Sequence, residues 1–554
     1  MSAVIDDARA ETRTEPKSTS AAAGTLDALI IGAGFSGLYQ LHQIRDHLGL
    51  NALVLEAADG VGGTWYWNRY PGARCDSESY SYSYSFDPEL EQEWHWTERY
   101  PEHAEIRRYL DHVADRFQLR RSIRFGARVA SAAYDDAANL WTVRTEGGEE
   151  YRTRFLITAV GCLSSANVPK IPGLKSFAGQ WYHTGRWPHE GVDFTGRRVG
   201  LIGTGSTGIQ ATPVIAEQAA HLTVFQRTPN YSIPARNAPL SAEAQAKVKA
   251  NYPALREKMR WSINGHPYDI QKESALEVSE EERLRRYEAA WETGGLGFRG
   301  AFGDLLKNKG ANDTASEFLR AKIRSIVKDP QTARKLTPTD HPFASKRPPI
   351  DTGYFETFNR SNVSLVDVRE APIQEITPRG IRTSDGREHE LDVIVFATGF
   401  DAMTGPLLAM DIRGSGGRSL REDWKAGPRT YLGLQMPGYP NLFTVTGPGS
   451  PAVLANMPVA IEQHTQWITA CIRHMEEHGF TRIEAEPRAA EEWVAHVNEA
   501  AHETLLPMAN HSWYLGANVP GKPRVFMPYA GGMGRYRKHC AEVARDGYRG
   551  FRVS

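Results

Sequence analysis

At 554 residues the chain is too long for a single hydrophobic core, and a working size of about 150 residues per domain points to several. Its formal net charge of −1, with no long block of one sign, gives no footing for nucleic acid or an anionic membrane surface. No apolar run approaches the ~20 residues of a membrane span, and the four cysteines (Cys75, Cys162, Cys471 and Cys540) form no CxxC pair, which excludes the usual zinc pattern and argues against a disulfide scaffold.

Residues 1–25, rich in Ala, Ser, Thr and charge, read as a disordered leader without the apolar core of a signal peptide. The reducing cytoplasm is the expected location. The apolar run Ala28 to Ile31 reads as a buried parallel strand, followed by Gly32-Ala33-Gly34-Phe35-Ser36-Gly37, a glycine turn that opens a helix. A second apolar run, Leu53-Val54-Leu55, ends at Glu56, 24 positions after Gly32. Strand-like runs Trp141-Thr142-Val143 and Phe155 to Val160 complete a first dinucleotide fold. The Pro/Gly segment Val168 to Gly173 is the expected crossover.

The same construction then repeats. Val199 to Ile202 leads into Gly203-Thr204-Gly205-Ser206-Thr207-Gly208, and Leu222 to Phe225 leads to Arg227, again 24 positions after the first glycine. Residues 236–339 break the pattern with charge-studded helical stretches such as Ala242 to Lys249 and Glu280 to Ala290, and read as a helical insertion. Strands resume at Val363 to Val366 and Ile373 to Ile381. The expected organisation is α/β, with two Rossmann-like dinucleotide-binding domains and the insertion. The first comprises residues 26–161 and 389–554, the second 162–235 and 340–388. An amphipathic helix is expected near Val459 to Glu477.

The two copies differ at the residue that reads the nucleotide. Glu56 offers a carboxylate to a free ribose hydroxyl, as in the adenosine half of FAD, whereas Arg227 pairs with a 2′-phosphate, as in NADP. The chain therefore reads as a flavin enzyme that draws electrons from NADPH. The missing cysteine pair removes the disulfide reductases, the main competitors among proteins with two such folds.

Between the glycine turns lies Phe177-Ala178-Gly179-Gln180-Trp181-Tyr182-His183-Thr184-Gly185-Arg186-Trp187-Pro188, which fits FxGxxxHxxxWP. Here the sequence resembles the type I Baeyer–Villiger monooxygenases, as it does at a second string, Gly62-Gly63-Thr64-Trp65-Tyr66-Trp67-Asn68-Arg69-Tyr70-Pro71-Gly72-Ala73-Arg74-Cys75-Asp76. The resemblance runs from about Leu26 to the C-terminus. Leu391 to Phe400 resembles the element by which such proteins pass back into the FAD domain. The resemblance implies hydride transfer from NADPH to FAD and capture of O₂ as a C4a-peroxyflavin. It further implies attack on a ketone carbonyl, giving an ester or lactone, with sulfoxidation as a side activity.

Site residues follow from the same likeness. Arg347, in Ala344-Ser345-Lys346-Arg347-Pro348, matches the family's active-site arginine, and Asp76 its carboxylate partner. A fixed cation stabilises the anionic species of this chemistry, and arginine does not titrate in the working range. His183 is a structural member of the linker through its ring hydrogen bonds, not a catalytic one. On the FAD side the expected contacts are Gly32, Gly34, Phe35, Gly37, Glu56, Gly63, Thr64, Trp65, Arg74, Cys75, Asp76, Tyr82, Val129 and Met457. Tyr82 lies in a Tyr/Ser alternation, Ser79 to Ser85, that also fits a half-buried strand. For NADP, Thr204, Gly205, Ser206, Thr207, Gly208, Ile209 and Gln210 cradle the pyrophosphate. Arg227, Thr228 and Lys346 receive the 2′-phosphate, Trp513 closes over the coenzyme, and Arg347 touches it. Ser450, Ala452, Val453 and Leu454 form an apolar loop over the flavin. Its length resembles that of the phenylacetone and steroid monooxygenase branch, two residues longer than in cyclohexanone monooxygenases. No metal site is expected. The alternatives are a related flavin monooxygenase acting on amines or sulfides, a non-catalytic NADPH-binding redox sensor, and an NADPH oxidase that leaks peroxide.

Overall fold

The computed structural model describes residues 24–554, so the expected leader lies outside the described residues up to position 23. The strand Leu26–Ile31, with Ala28, Leu29 and Ile30 fully buried, pairs in parallel with Ala52–Leu55 on one side and Glu150–Thr158 on the other. A strand covered on both faces has no polar alternation to display, hence its continuous apolar spelling. Ile123–Arg124, Val129–Asp135, Leu140–Thr145, Asp411–Arg413 and Leu442–Thr444 complete this eight-stranded sheet. Its last two strands come from far along the chain. Leu442–Thr444 joins the far edge of Glu150–Thr158 in parallel.

Arg198–Ile202, His221–Gln226, Val363–Asp367, Val393–Phe396 and Gln180–His183 form a second, five-stranded parallel sheet. Here one expectation is corrected. The expected boundary at residue 389 puts Val393–Phe396 in the returning part of the first domain. Instead it is the strand between Arg198–Ile202 and Gln180–His183 in the second sheet. Its four apolar side chains demand cover on both faces, which only a central position provides. The return to the first sheet comes after Gly399. Ile373–Thr377, Gly380–Thr383 and Glu388–Glu390 form a separate antiparallel meander.

Residues 236–339 carry the helices Ala242–Ala250, Tyr252–Trp261, Glu280–Thr293, Lys309–Ile326 and Pro330–Leu336. Side-chain oxygens of Ser241, Ser279, Asn308 and Asp329 accept from first-turn backbone N–H groups of four of them, which explains where these helices begin. Their aromatic core of Tyr287, Phe298, Phe302 and Phe318 also takes in Phe343, four residues before Arg347. The helix Met457–His478 packs against the first glycine-turn helix, Phe35–His42.

The alternation Ser79 to Ser85 is not a strand: it forms a 3-10 turn, Ser79–Ser81, followed by irregular backbone. Several of its polar groups find partners outside any ladder. Ser81 Oγ donates to the Glu78 carbonyl, Tyr84 Oη to the Phe35 carbonyl, and the Ser85 N–H to Glu462. Local side-chain bonds of this kind displace sheet pairing.

Candidate active site

Each glycine turn enters a helix whose first turn lacks a side-chain cap: Phe35–His42 and Ser206–Gln218. The last glycine of each turn is compelled by packing. A Cβ on Gly37 would lie 1.7 Å from the Gly32 carbonyl oxygen, and one on Gly208 2.0 Å from that of Gly203. Gly205 differs, since a Cβ there would meet nothing within 4 Å, and with Ser206 it is exposed. An uncapped helix start with open space before it suits an anionic ligand. Gly205→Val is therefore expected to retain melting temperature and bound flavin while raising KM for NADPH, whereas Gly208→Val should cost stability as well. Thermal melting and NADPH titration of the two variants separate these effects.

The two residues expected to read the adenosine ends, Glu56 and Arg227, differ as their types require. Glu56 is buried, and burial raises its pKa. Its carboxylate accepts from the N–H groups of Ala33 (2.6 Å) and Ala58 (2.8 Å), which presents it to the first turn with acceptor capacity to spare. Arg227 is exposed, beside Thr228, whose carbonyl accepts from Thr204 Oγ1 at 2.8 Å. Lys346 faces the same cleft with Thr228, Asp340 and His341. Both sets of residues fit their groups: a buried uncapped helix start with an acceptor for FAD, and an exposed one with cations for NADP.

Burial, with the positive charge of Arg227 adding to it, lowers the Lys346 pKa to about 8, against the opposing pull of Asp340. The ammonium is thus present below that pH and lost above it. If Lys346 grips the 2′-phosphate, kcat/KM for NADPH falls as pH rises through about 8, and NADH, lacking that phosphate, shows no such decline. Stopped-flow flavin reduction with each coenzyme is the check. Equal decline for both would remove Lys346 from the role.

The string from Gly62 to Asp76 bridges the two folds. A Cβ on Gly72 would sit 2.5 Å from the Gln210 carbonyl oxygen, so backbone meets backbone there. Tyr70 Oη donates to Gln210 Oε1 (2.7 Å), and Gln210 Nε2 to the Arg74 carbonyl (3.1 Å). Tyr70 and Ala73 are buried in the core of the second fold. The Arg74 guanidinium is engaged by Glu98, Glu102 and the Tyr100 carbonyl, while its backbone carbonyl meets Gln210.

The string ends at the centre of the site. Asp76 and Arg347 form a bidentate pair, Nε to Oδ2 at 2.6 Å and Nη2 to Oδ1 at 2.8 Å. Nη1 donates to the Val453 carbonyl at 3.1 Å. Burial works against the charged guanidinium, but the Asp76 carboxylate outweighs it and holds the Arg347 pKa above its ordinary value. The loop carrying Arg347 is itself fixed by buried Asn312, whose side chain donates to the Phe343 carbonyl (2.8 Å) and accepts from the Phe343 N–H (3.0 Å).

The other expected residues are placed as follows. Trp65 Nε1 donates to Tyr82 Oη (3.3 Å), and Tyr82 packs edge-on against Phe35. Gly63 caps the short helix Thr64–Trp67, where Thr64 is exposed. Cys75 is buried, and burial pushes its thiol pKa up, so it is no thiolate. Val129 opens a strand of the first sheet, and Met457 opens the helix Met457–His478. Ala452, Val453 and Leu454 form a 3-10 turn that shares one apolar cluster with Trp513, Tyr514 and Met527. Ser450 is fully buried, and its hydroxyl donates to the Gly447 carbonyl, so the loop's own turn occupies it. His183 Nδ1 accepts from the Gly185 N–H at 3.0 Å, and burial lowers its pKa to about 4, leaving a neutral structural ring.

Fold and site together define a flavin-dependent monooxygenase that binds FAD and NADP. Residues 29–316 match the family model described as pyridine nucleotide-disulphide oxidoreductase, although the four cysteines are buried and unpaired. A Baeyer-Villiger monooxygenase from Pseudooceanicola batsensis is 45% identical over 96% of this chain and 97% of its own. Phenazine N-monooxygenase PhzNO1 from Lysobacter antibioticus is 44% identical over 95% and 96%. The solved structure of oxidized steroid monooxygenase bound to NADP is 54% identical and superimposes with a TM-score of 0.91, covering 96% of this chain and 99% of that one. The chain belongs to the Baeyer–Villiger monooxygenases. Among the described residues no helix is long and apolar enough to cross a membrane.

Sequence reasoning missed several residues beside Arg347. Asn312, Tyr268, Arg299 and His266 belong to no motif, and each reaches the site through packing between distant segments. The only hint was composition: a lone Arg or His in the helical insertion carries no spacing signal.

Proposed function

We propose that the protein catalyses NADPH- and O₂-dependent Baeyer–Villiger oxidation of ketones to esters or lactones. The observation that carries this reading is the fork-to-fork Arg347–Asp76 pair, anchored to the Val453 carbonyl and lying where the two dinucleotide folds meet. FAD, reduced by NADPH, supplies the activated oxygen when both are bound. Arg347 supplies a positive charge that does not titrate, fixed in orientation, for the negative charge that builds on oxygen as the carbonyl is attacked. Asp76 holds the guanidinium plane. The remaining donor capacity of Nη1 and Nη2 faces away from that carboxylate. Trp513 and the loop Ala452–Leu454 belong to one packed apolar cluster next to the Arg347 anchor, and low-dielectric surroundings of that kind strengthen its charge.

A relative that N-oxidises phenazine keeps amine or sulfide oxidation as the second reading. Incubation with NADPH and a panel of ketones, amines and sulfides decides between them. Ester or lactone formed in proportion to NADPH consumed supports the ketone reading, and N-oxide without ester would overturn it. Shortening the 450–454 loop is a poor probe of substrate choice, because Arg347 depends on the Val453 carbonyl. Val453→Phe leaves that carbonyl in place. It is expected to reduce turnover of bulky ketones at least several-fold relative to small ones, read as the ratio of kcat/KM values. An equal loss for both would mean a general disturbance of the site.

A further inference from the structure

The segment between two helices of the insertion, residues 262–270, runs beneath the 450–457 loop. The Asn264 carbonyl accepts from the Asn456 N–H at 2.8 Å, and a Cβ on Gly265 would lie 3.2 Å from that of Asn456. Asn456 is three residues from Val453, whose carbonyl holds Arg347. His266 and Tyr268 follow in this segment, their rings stacked at 5.5 Å with an interplanar angle of 20°. Tyr268 Oη accepts from Arg299 Nη2 at 2.5 Å, and also pairs with the Asn264 side chain.

Two features of this cluster leave polar groups open. His266 is 2% exposed, yet its Nε2 has no hydrogen-bond partner. Arg299, half-buried, has no carboxylate within ion-pair distance among the described residues, and its buried Nε is also unpartnered. Arg347 has its counter-ion, while Arg299 beside the same site has only a phenol. The positive charges of both arginines, after burial itself, disfavour protonation of His266, so its ring is neutral and offers one N–H. A half-buried cation without a counter-ion and an unpartnered ring nitrogen, a donor in one tautomer of His266, leave hydrogen-bonding capacity open. The ligand that satisfies them is an anion with two oxygen acceptors in one plane.

We propose that Arg299, Tyr268 and His266 form a receptor for a carboxylate on the substrate, and that the ketones preferred by this enzyme are keto acids. The proposal rests on the ketone reading above. Arg299 takes the carboxylate, His266 donates to its second oxygen, Tyr268 fixes Arg299, and the ketone carbonyl is presented towards Arg347. The two arginines thus divide the work, one for binding and one for the reaction.

The test compares linear and aryl keto acids with their methyl esters, as kcat/KM for oxygenated product, in the wild-type holoenzyme and in Arg299→Met, Arg299→Lys and His266→Phe. Wild type is expected to favour the acids at least about tenfold. Arg299→Met is expected to abolish that preference through KM for the acid, Arg299→Lys to keep part of it, and His266→Phe to reduce it. If wild-type enzyme converts the esters as well as the acids, or Arg299→Met lowers both alike, the receptor is refuted while ketone oxidation stands. If Arg299→Met instead raises KM for NADPH and leaves the acid preference, the cation serves the coenzyme and the proposal falls. If no ketone of either kind yields an oxygenated product while NADPH is consumed, the ketone reading itself fails.

Discussion

Replacing Arg347 by alanine is expected to abolish ester formation while NADPH still bleaches the flavin. Removing one preorganised donor from a developing negative charge typically costs about 10²–10³-fold in turnover, and Arg347 is a full charge with three hydrogen bonds orienting it. Reducing equivalents that no longer reach a ketone should appear as hydrogen peroxide. Anaerobic stopped-flow absorbance measures the first half of the reaction, and product analysis the second. The substitution also strips Asp76 of its counter-ion. That side chain is 24% exposed, so the stability loss should fall below the ~3–5 kcal/mol of a fully buried broken pair. Arg347→Lys restores a charge without the fork, and is expected to recover little activity. Wild-type ester yield in Arg347→Ala would remove this residue from the chemistry and leave the Asp76 pair a structural tie.

Arg227→Ala is expected to raise KM for NADPH by roughly 10- to 40-fold and leave KM for NADH nearly unchanged. A charge-assisted contact to a phosphate is worth about 1.5–3 kcal/mol, and solvent screening at this exposed position places the effect in the lower part of that range. The Arg227 charge acts on Lys346, so Arg227→Ala with Lys346→Met should exceed either change alone and bring the two coenzymes close to parity. Steady-state kinetics with both coenzymes at pH 7, where the Lys346 ammonium is present, provides the comparison. An undiminished preference for NADPH in the double variant would place the 2′-phosphate elsewhere.

Much of this molecule was legible because its chemistry is written locally. A glycine turn, the strand before it and the charge 24 positions later form one compact unit, and the same spelling occurs twice. Caps such as Ser279 and Asn308 likewise act within three residues of themselves. Two local readings failed where tertiary packing overrode them. Val393–Phe396 went to the second sheet because it needed cover on both faces, which sequence order does not reveal. Ser79 to Ser85 alternates without being a strand because its hydroxyls and amides found partners on other elements. Arg74 lies within a matching string, yet nearby Glu98 and Glu102 engage its guanidinium.

The amino-acid sequence by itself determined two glycine turns, one followed by an acidic residue and the other by a basic one, and a family resemblance singled out Arg347, because each of those features belongs to a short stretch of chain. Only the tertiary structure decided what surrounds that arginine. Asp76 reaches it across 271 positions and Val453 across 106, and Asn312, His266 and Arg299 arrive from an insertion with no repeat or motif. Such contacts are settled by how separately folded layers close on one another, and their cost and gain are felt only when distant side chains lose water together.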